Sequence, residues 1–241
     1  AGFIASHLVQ RLLLDNWNVL GLDNFHPYYD KELKLKNLAN FKDHKNFKFV
    51  EGSILDLDLL KTFSNVDTVF HLAAIAGVRN SFNNSQEYFD INVKGTENIL
   101  KTFQNIDELV FASSSSVYGE LKQSEFPVKE THSLNPISPY GESKKQSELL
   151  CEHYSKSSKI RTSILRFYTV YGPRQRPDEA IMKFLNLSIS GKPIPIFDDG
   201  TKIRDFTYIS DIVNGIILSQ KFGNGTYNLG SGNPISVNQM V

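Results

Sequence analysis

Apolar positions along this chain fall into short runs of two periods. Leu8 to Leu14 continues a helical pattern begun at Phe3 and Ile4. Asn18-Val-Leu-Gly-Leu-Asp23 is a compact apolar run closed by an acid and reads as a buried strand. Phe47–Glu51 alternates like a second strand, and Asp67–Ala73, Glu108–Ser113 and Arg161–Arg166 read as a third, fourth and fifth. Helical periodicity occupies residues 56–63, 86–103 and 143–155 between them. Short apolar runs also occur inside buried helices, but the length of these and their turn-rich flanks favour strands. Strands alternating with helices predict βαβ units, hence an α/β fold with a doubly wound parallel sheet covered on both faces. After Gly172 the texture changes, with prolines at 173, 177, 193 and 195. The expected organisation is a main domain over 1–172 and a smaller, partial lobe over 173–241, with some segments returning to the sheet. The chain starts at Ala1, already entering a helix, and stops at Gln239-Met-Val241, where another is starting. It reads as a fragment, with a targeting segment before Ala1 left open.

Composition narrows the function classes. A chain of 241 residues that is 40% hydrophobic can bury a core for one domain, or one domain and a lobe. Lys+Arg and Asp+Glu balance at 26 each, which gives no electrostatic case for a nucleic acid or a membrane surface as partner. An anionic ligand must then be met by locally placed arginines. The single cysteine, Cys151, excludes an internal disulfide and fits a reducing, cytoplasmic compartment. The six histidines show no metal-ligand spacing, so no metal is expected. No apolar run approaches the roughly 18 residues of a membrane span.

The stretch Ser138-Pro-Tyr-Gly-Glu-Ser-Lys144 holds the most informative spacing. On a helix, Tyr140 and Lys144 lie one turn apart on one face, so the ammonium can act on the phenol oxygen. A free tyrosine titrates near 10, and bringing it near 7 takes about 4 kcal/mol. A neighbouring cation, a helix N-terminus and a cationic cofactor can together supply that. A hydroxyl from the upstream run Ser113–Ser116 would complete a site able to move a proton to or from an alcohol. The competing reading is a chance spacing on an exposed amphipathic helix. At the other end, Gly2 and Ala5 match the last two small residues of a glycine-rich dinucleotide turn leading into a helix. Asp23, at a strand end 21 residues after Gly2, can bind both ribose hydroxyls and would repel a 2′-phosphate, favouring NAD over NADP. Alternatively Asp23 caps a turn with Asn24. Asp56 faces the adenine or caps its own helix.

In chain order the motifs are Gly2-Phe-Ile-Ala-Ser-His-Leu, Gly21-Leu-Asp-Asn24, His71-Leu-Ala-Ala-Ile-Ala-Gly77, Asn92-Val-Lys-Gly-Thr96, Ser113-Ser-Ser-Ser-Val-Tyr-Gly119, Tyr140-x-x-x-Lys144, Tyr171-Gly-Pro-Arg174, Arg204-Asp-Phe-Thr-Tyr208 and Asn228-Leu-Gly230. With these in place the whole chain resembles the extended short-chain dehydrogenases/reductases, in particular their nucleotide-sugar epimerases and dehydratases. Family members usually carry a first strand and a further glycine before Gly2, and a longer C-terminal lobe. The resemblance implies a Rossmann sheet that binds NAD and a smaller lobe that holds a nucleoside diphosphate. It implies cofactor contacts from Gly2, Phe3, Ile4, Asp23, Asn24, Asp56, Leu72, Ala73, Ala74, Asn92, Tyr140 and Lys144, although Asn92 can equally serve as an internal backbone cap. Tyr140, as phenolate, would take the proton of the sugar C4 hydroxyl while NAD+ takes the C4 hydride. Lys144 would lower the Tyr140 pKa and bind the nicotinamide ribose, and Ser114 would bridge Tyr140 and the substrate. A homodimer is the family expectation, with helices near 86–103 and 143–155 at its interface.

The residues after Ser114 bear on the branch. Resembling 4,6-dehydratases carry an Asp-Glu pair where this chain has Ser115-Ser116, and decarboxylases that make UDP-xylose keep a Glu at the place of Ser116. Without that carboxylate elimination lacks its base, which points to a 4-epimerase. Hydroxyls also suit an anionic C6 group, since they donate to a carboxylate that acids would repel. Thr169, Arg79 and Arg174-Gln-Arg-Pro177 look like the UDP-glucuronate 4-epimerase branch, set slightly ahead of UDP-glucose or UDP-N-acetylglucosamine. Arg204 is expected to pair with the UDP phosphates, and Arg174 to help there or to act on the lobe closing over the sugar; a surface ion pair is the alternative for each. Phe197 lines the uracil pocket or belongs to a core strand. Two rival functions stay open: decarboxylation or dehydration through the same keto sugar, and a dinucleotide-binding protein without catalysis.

Overall fold

The structure is a computed structural model that describes residues 1–63, 65–196 and 199–241. The chain begins with α1 (Phe3–Leu14), β1 (Val19–Asp23), α2 (Lys31–Ala39), β2 (Phe47–Glu51), α3 (Leu57–Lys61) and β3 (Thr68–His71). There follow α4 (Val78–Ser81), α5 (Ser85–Tyr88), a π-helical stretch (Phe89–Lys94), α6 (Gly95–Thr102), β4 (Glu108–Ser114), α7 (Pro139–Ser157) and β5 (Arg161–Phe167). The last part holds β6 (Thr169–Tyr171), α8 (Ala180–Ile189), β7 (Ile203–Tyr208), α9 (Ile209–Phe222), β8 (Gly225–Leu229), β9 (Pro234–Ser236) and α10 (Val237–Met240). The residues form two compact units, one of Ala1–Glu51, Tyr168–Val213 and Gly230–Val241, the other of Gly52–Phe167 and Asn214–Leu229. The change of texture at Gly172 therefore falls inside the first unit.

In the first unit β1 and β2 pair in parallel, Val19 opposite Phe47 and Asp23 opposite Glu51. Leu13, Phe25, Leu38 and Phe41 form a core there, with Val9, Val19, Phe47 and Phe49 packed against it. The helix α2 is absent from the sequence expectation because its inward positions include Lys34 and Asn37, which break the apolar stripe. A small sheet pairs β6 with β7 in parallel and β7 with β9 antiparallel.

The second unit is built on a parallel sheet of order β3-β4-β5-β8. All seven residues of β4 are buried, as are the last six of β5, so neither strand shows the alternation of a half-covered one; the buried set of β5 includes Thr162, Ser163 and Arg166 beside Ile164, Leu165 and Phe167. Helical crossovers join β3 to β4 and β4 to β5, the α/β arrangement expected from the sequence. The helix expected over 86–103 is one continuous helical run from Ser85 to Thr102 whose middle, Phe89–Lys94, is π-helical. The helix expected over 143–155 starts four residues earlier, because Ser138 accepts the Gly141 N–H at 3.0 Å and Pro139 occupies the first turn. Tyr140 and Lys144 consequently share one helix. Among the described residues no helix is long and apolar enough to cross a membrane.

Candidate active site

Three elements of the second unit converge at the C-terminal end of β4. The strand ends at Ser114, whose hydroxyl accepts the Ser116 N–H at 3.2 Å and donates to the Ser116 hydroxyl at 3.1 Å, folding 115–117 into a tight turn. The N-terminus of α7 lies against that turn. A Cβ on Gly141 would stand 2.6 Å from the Ser116 carbonyl oxygen, so glycine next to Tyr140 is what permits the approach. One turn along, buried Lys144 donates to the Ala112 carbonyl at 2.8 Å, with its ammonium 4.9 Å from the centre of the Phe111 ring. Tyr140 is half-buried and meets Tyr88 edge-on at 6.2 Å. Ser114, Tyr140 and Lys144 are thus carried by one strand end and the helix packed on it.

Burial lowers the Lys144 ammonium from its ordinary range to about 8, an effect partly offset by Cys151 and Glu148. It therefore keeps its charge at neutral pH, and two of its three donors lie beyond the Ala112 bond. His71, buried at the end of β3, is pushed down to about 3 by burial and by the Lys144 charge. Its Nε2 lies 2.9 Å from the Thr96 hydroxyl, which spends its only proton on the Asn92 carbonyl at 2.6 Å. The imidazole must then be the donor, a neutral ring with its proton on Nε2. His71 is thus held as a neutral ring by Thr96, with Phe111 beside it.

Asn92, inside the π-helical stretch, accepts the Ile75 N–H at 2.9 Å and donates to the Ile75 carbonyl at 3.0 Å and to the Ser143 hydroxyl at 2.9 Å. Both amide protons are committed inside the protein, which matches its reading as an internal cap. Leu72, Ala73 and Ala74 follow directly on β3, and Ala73 is exposed. Asp56 caps α3, accepting the Leu59 N–H at 3.0 Å. Arg79 is exposed on α4, and Ser115 and Ser116 are half-buried.

In the first unit, Gly2 caps α1 without any side-chain bond, and the first turn, with Phe3 and Ile4, carries no acid. A Cβ on Gly2 would meet nothing nearer than the Tyr29 hydroxyl at 3.9 Å. The protein's own packing does not require glycine there, and bare N–H groups at a helix N-terminus suit a pyrophosphate. Asp23, at the end of β1, accepts the Phe25 N–H at 2.7 Å. It lies 3.6 Å from the buried Lys34 ammonium, with exposed Asn24 beside it. The residues fit the adenosine and pyrophosphate of NAD. Arg174, with φ of 68°, donates to the Ser6 hydroxyl at 3.3 Å and to Gln10 at 2.8 Å, so it is fastened to α1. Thr169 is half-buried on β6, and Arg204 is exposed on β7 with its guanidinium on the Ile203 carbonyl. Phe197 lies outside the described residues.

Sequence reasoning missed a buried network beneath Ser114. Arg166 of β5 binds Glu148 of α7 through Nη2 at 2.7 Å and Nε at 3.0 Å, and the Ser113 hydroxyl donates to the same carboxylate. The one available signal was Glu148 four residues after Lys144, on the same helix face.

Known proteins with this sequence pattern share its fold. Residues 1–230 match the NAD dependent epimerase/dehydratase family. The chain is 46% identical over 248 residues to an uncharacterised UDP-glucose epimerase, YtcB, of Bacillus subtilis (strain 168), covering 100% of this chain and 78% of that protein. It is 43% identical over 249 residues to a UDP-glucuronate 4-epimerase of Thermodesulfobacterium geofontis (strain OPF15), covering 100% of this chain and 76% of that one. The crystal structure of UDP-glucuronic acid 4-epimerase from Bacillus cereus, in complex with UDP-glucuronic acid and NAD, matches with a TM-score of 0.93 at 38% identity, over 98% of this chain and 77% of that one.

Proposed function

The chain belongs to the NAD dependent epimerase/dehydratase family, and we propose that it is an NAD-dependent UDP-sugar 4-epimerase with UDP-glucuronate favoured over UDP-glucose and UDP-N-acetylglucosamine. The observation that carries this reading is the convergence of Ser114, Tyr140 and Lys144 at the end of β4, with hydroxyls and no carboxylates at 115 and 116.

NAD, when bound, supplies the acceptor and donor of the C4 hydride. Gly2, Phe3 and Ile4 hold its pyrophosphate, Asp23 and Asn24 the adenosine ribose, and Asp56 and the segment Leu72–Ala74 the adenine side. Lys144 keeps a positive charge on the Tyr140 helix face and uses its remaining donors on the nicotinamide ribose and the phenolate. Tyr140 takes the proton from the C4 hydroxyl and returns it when the opposite epimer forms. Ser114 gives up its bond to Ser116 in favour of the reacting sugar oxygen. Ser115 and Ser116 donate to the C6 carboxylate, and neither can remove a proton from C5. Arg79, Thr169, Arg174 and Arg204 are assigned to the sugar and its diphosphate. The domain over 1–172 is assigned the cofactor, together with the sugar contacts just named within it, and the partial lobe over 173–241 the nucleotide sugar, in a cytoplasmic homodimer.

The full-length protein, incubated with NAD+ and either UDP-glucuronate or UDP-glucose, is expected to give the C4 epimer by chromatography, with the glucuronate faster. No epimer from either sugar refutes the reading, and CO2 released from labelled UDP-glucuronate would move it to decarboxylation. Tyr140→Phe should lower turnover by about 10²–10⁴ while leaving NAD+ binding in place; a variant at full rate would remove Tyr140 as the base.

A further inference from the structure

The second unit contains a group of charged residues that proton transfer at Tyr140 does not itself use. Arg166 and Glu148 are both buried and face each other from adjacent elements. Nη2 and Nε of Arg166 engage the carboxylate, and Nη1 donates to the Tyr118 hydroxyl at 2.8 Å and to the Glu130 carbonyl at 2.9 Å. Tyr118 in turn donates to Asn228 on β8 at 2.7 Å, and its ring lies 4.9 Å from the guanidinium. The carboxylate also accepts from Ser113, the residue before Ser114. One turn earlier on α7, Lys144 is bound to Ala112, the residue before Ser113.

We propose that Glu148 and Arg166 are positioning residues for the reaction, which, with the Ser113 hydroxyl, lock the end of β4 against α7 and so set where Ser114 stands relative to Tyr140 and Lys144. The inference rests on the epimerase reading for its chemistry and on the network for its geometry. Two successive residues of β4 are tied to two side chains one helical turn apart. A slide of α7 along the strand would break the Lys144–Ala112 and Glu148–Ser113 bonds together. A buried ion pair is weak support for stability, since apolar residues of the same volume hold a core as well. What directional bonds add is a single register. Charge acts in the same sense. The groups facing Lys144 among the described residues are neutral His71 from β3, the Phe111 ring from β4, and Cys151 and Glu148 on its own helix, so among these Glu148 is the carboxylate that opposes the effect of burial on the ammonium.

The test uses Ser113→Ala and Glu148→Gln in the whole protein, with Tyr140 ionisation read as ultraviolet phenolate absorbance in the NAD+ complex against a Tyr140→Phe reference. Turnover and its pH profile are measured in parallel. Both variants are expected to lose kcat roughly tenfold with KM little changed, and to move the phenolate titration and the acid limb of kcat/KM up by about one pH unit, Ser113→Ala further than Glu148→Gln, whose unpaired Arg166 charge works against the rise. A structural role alone lowers the melting temperature and leaves both pH curves at the parent position, and that result overturns the proposal. Should Glu148→Gln fail to fold, Glu148→Leu combined with Arg166→Met strands no charge and replaces it. A folded double variant with parental pH curves is equally fatal, and shifted curves support the proposal. If the parent epimerises no UDP-sugar but its phenolate titration shifts as stated, the substrate reading fails and the positioning role stands.

Discussion

Gly141→Ala is the smallest change that probes the geometry at Tyr140. The new Cβ would stand 2.6 Å from the Ser116 carbonyl oxygen, 2.9 Å from Pro136 Cβ and 3.3 Å from the Ser116 carbonyl carbon. The nearest obstacle is backbone, and the turn it belongs to is closed by the Ser114 hydroxyl. Ordinary contact begins at 3.4 Å, so the helix start and the turn must part by about 0.8 Å, the difference between 3.4 and 2.6. Overpacking of this kind costs about 1–3 kcal/mol, and alanine in a helix returns about 1 kcal/mol, leaving a net loss of roughly 0–2 kcal/mol. Catalysis is less forgiving. Reacting groups tolerate about 0.5 Å, and a displacement near 1 Å costs on the order of 10²-fold. The expected variant is folded, with a urea midpoint near the parent, and its kcat for epimerisation is down roughly 10- to 100-fold. A kcat within about twofold of the parent, with unfolding unchanged, would show that α7 does not need this approach to place Tyr140.

Two further perturbations read separate parts of the molecule. Glu108 is buried at the start of β4, and burial pushes its carboxyl up to about 7, against the Arg161 guanidinium and the Gln220 amide. A raised carboxyl pKa gives stability that is complete below the ordinary carboxylate range and lost as pH rises through about 7. Glu108→Gln, neutral throughout, should therefore gain on the parent as pH rises from about 4.5 to above 7, by at most about 3 kcal/mol. Unfolding curves that stay parallel across that window would refute the assignment. Asp23→Asn should weaken NAD+ binding by roughly 10- to 100-fold, the worth of a charged hydrogen bond, and narrow the preference over NADP+, since Lys34 at 3.6 Å loses its counter-charge. Equilibrium titration with both dinucleotides checks this, and an unchanged ratio would remove Asp23 as the discriminating acid.

What could be read from the sequence was local. The strands β1, β3, β4 and β5 stand where short, largely apolar runs predict them, and β4, buried at every position, shows no alternation of inward and outward residues. The Asp56 cap and the Tyr140–Lys144 spacing are also properties of a few neighbouring residues. The small sheet was not legible, since β6 and β9 are three residues each and their partner β7 lies far along the chain. In contrast α9 carries a full stripe of buried Ile209, Ile212, Val213, Ile216 and Ile217, so its omission reflects the proline-rich texture before it rather than a weak signal. The role of Asn92 was undecidable from sequence, because its bonds to Ile75 and Ser143 join residues 17 and 51 positions away.

The face that α7 turns inward explains both the reach and the limit of sequence reading at this site. Its buried residues are Gly141, Ser143, Lys144, Ser147, Glu148 and Cys151, while Leu149 is exposed. Hydrophobic periodicity, which locates the buried stripe of an ordinary helix, points the wrong way here. Each of these polar groups must find a partner, because a buried donor left unmade costs about 1–3 kcal/mol. Ser143 and Ser147 find theirs on the π-helical stretch and on α7 itself, Lys144 on Ala112, and Glu148 on Ser113 and Arg166. Apolar side chains would let the helix settle in several nearby registers at similar free energy, whereas this set is satisfied together in one. A base and its activating cation, the roles proposed for Tyr140 and Lys144, would need a fixed address relative to the Ser114 hydroxyl more than a dry interface, and a polar inner face meets that need. On the epimerase reading proposed for this site, the residues that make the helix hard to see as buried are those that would hold Tyr140 for proton transfer.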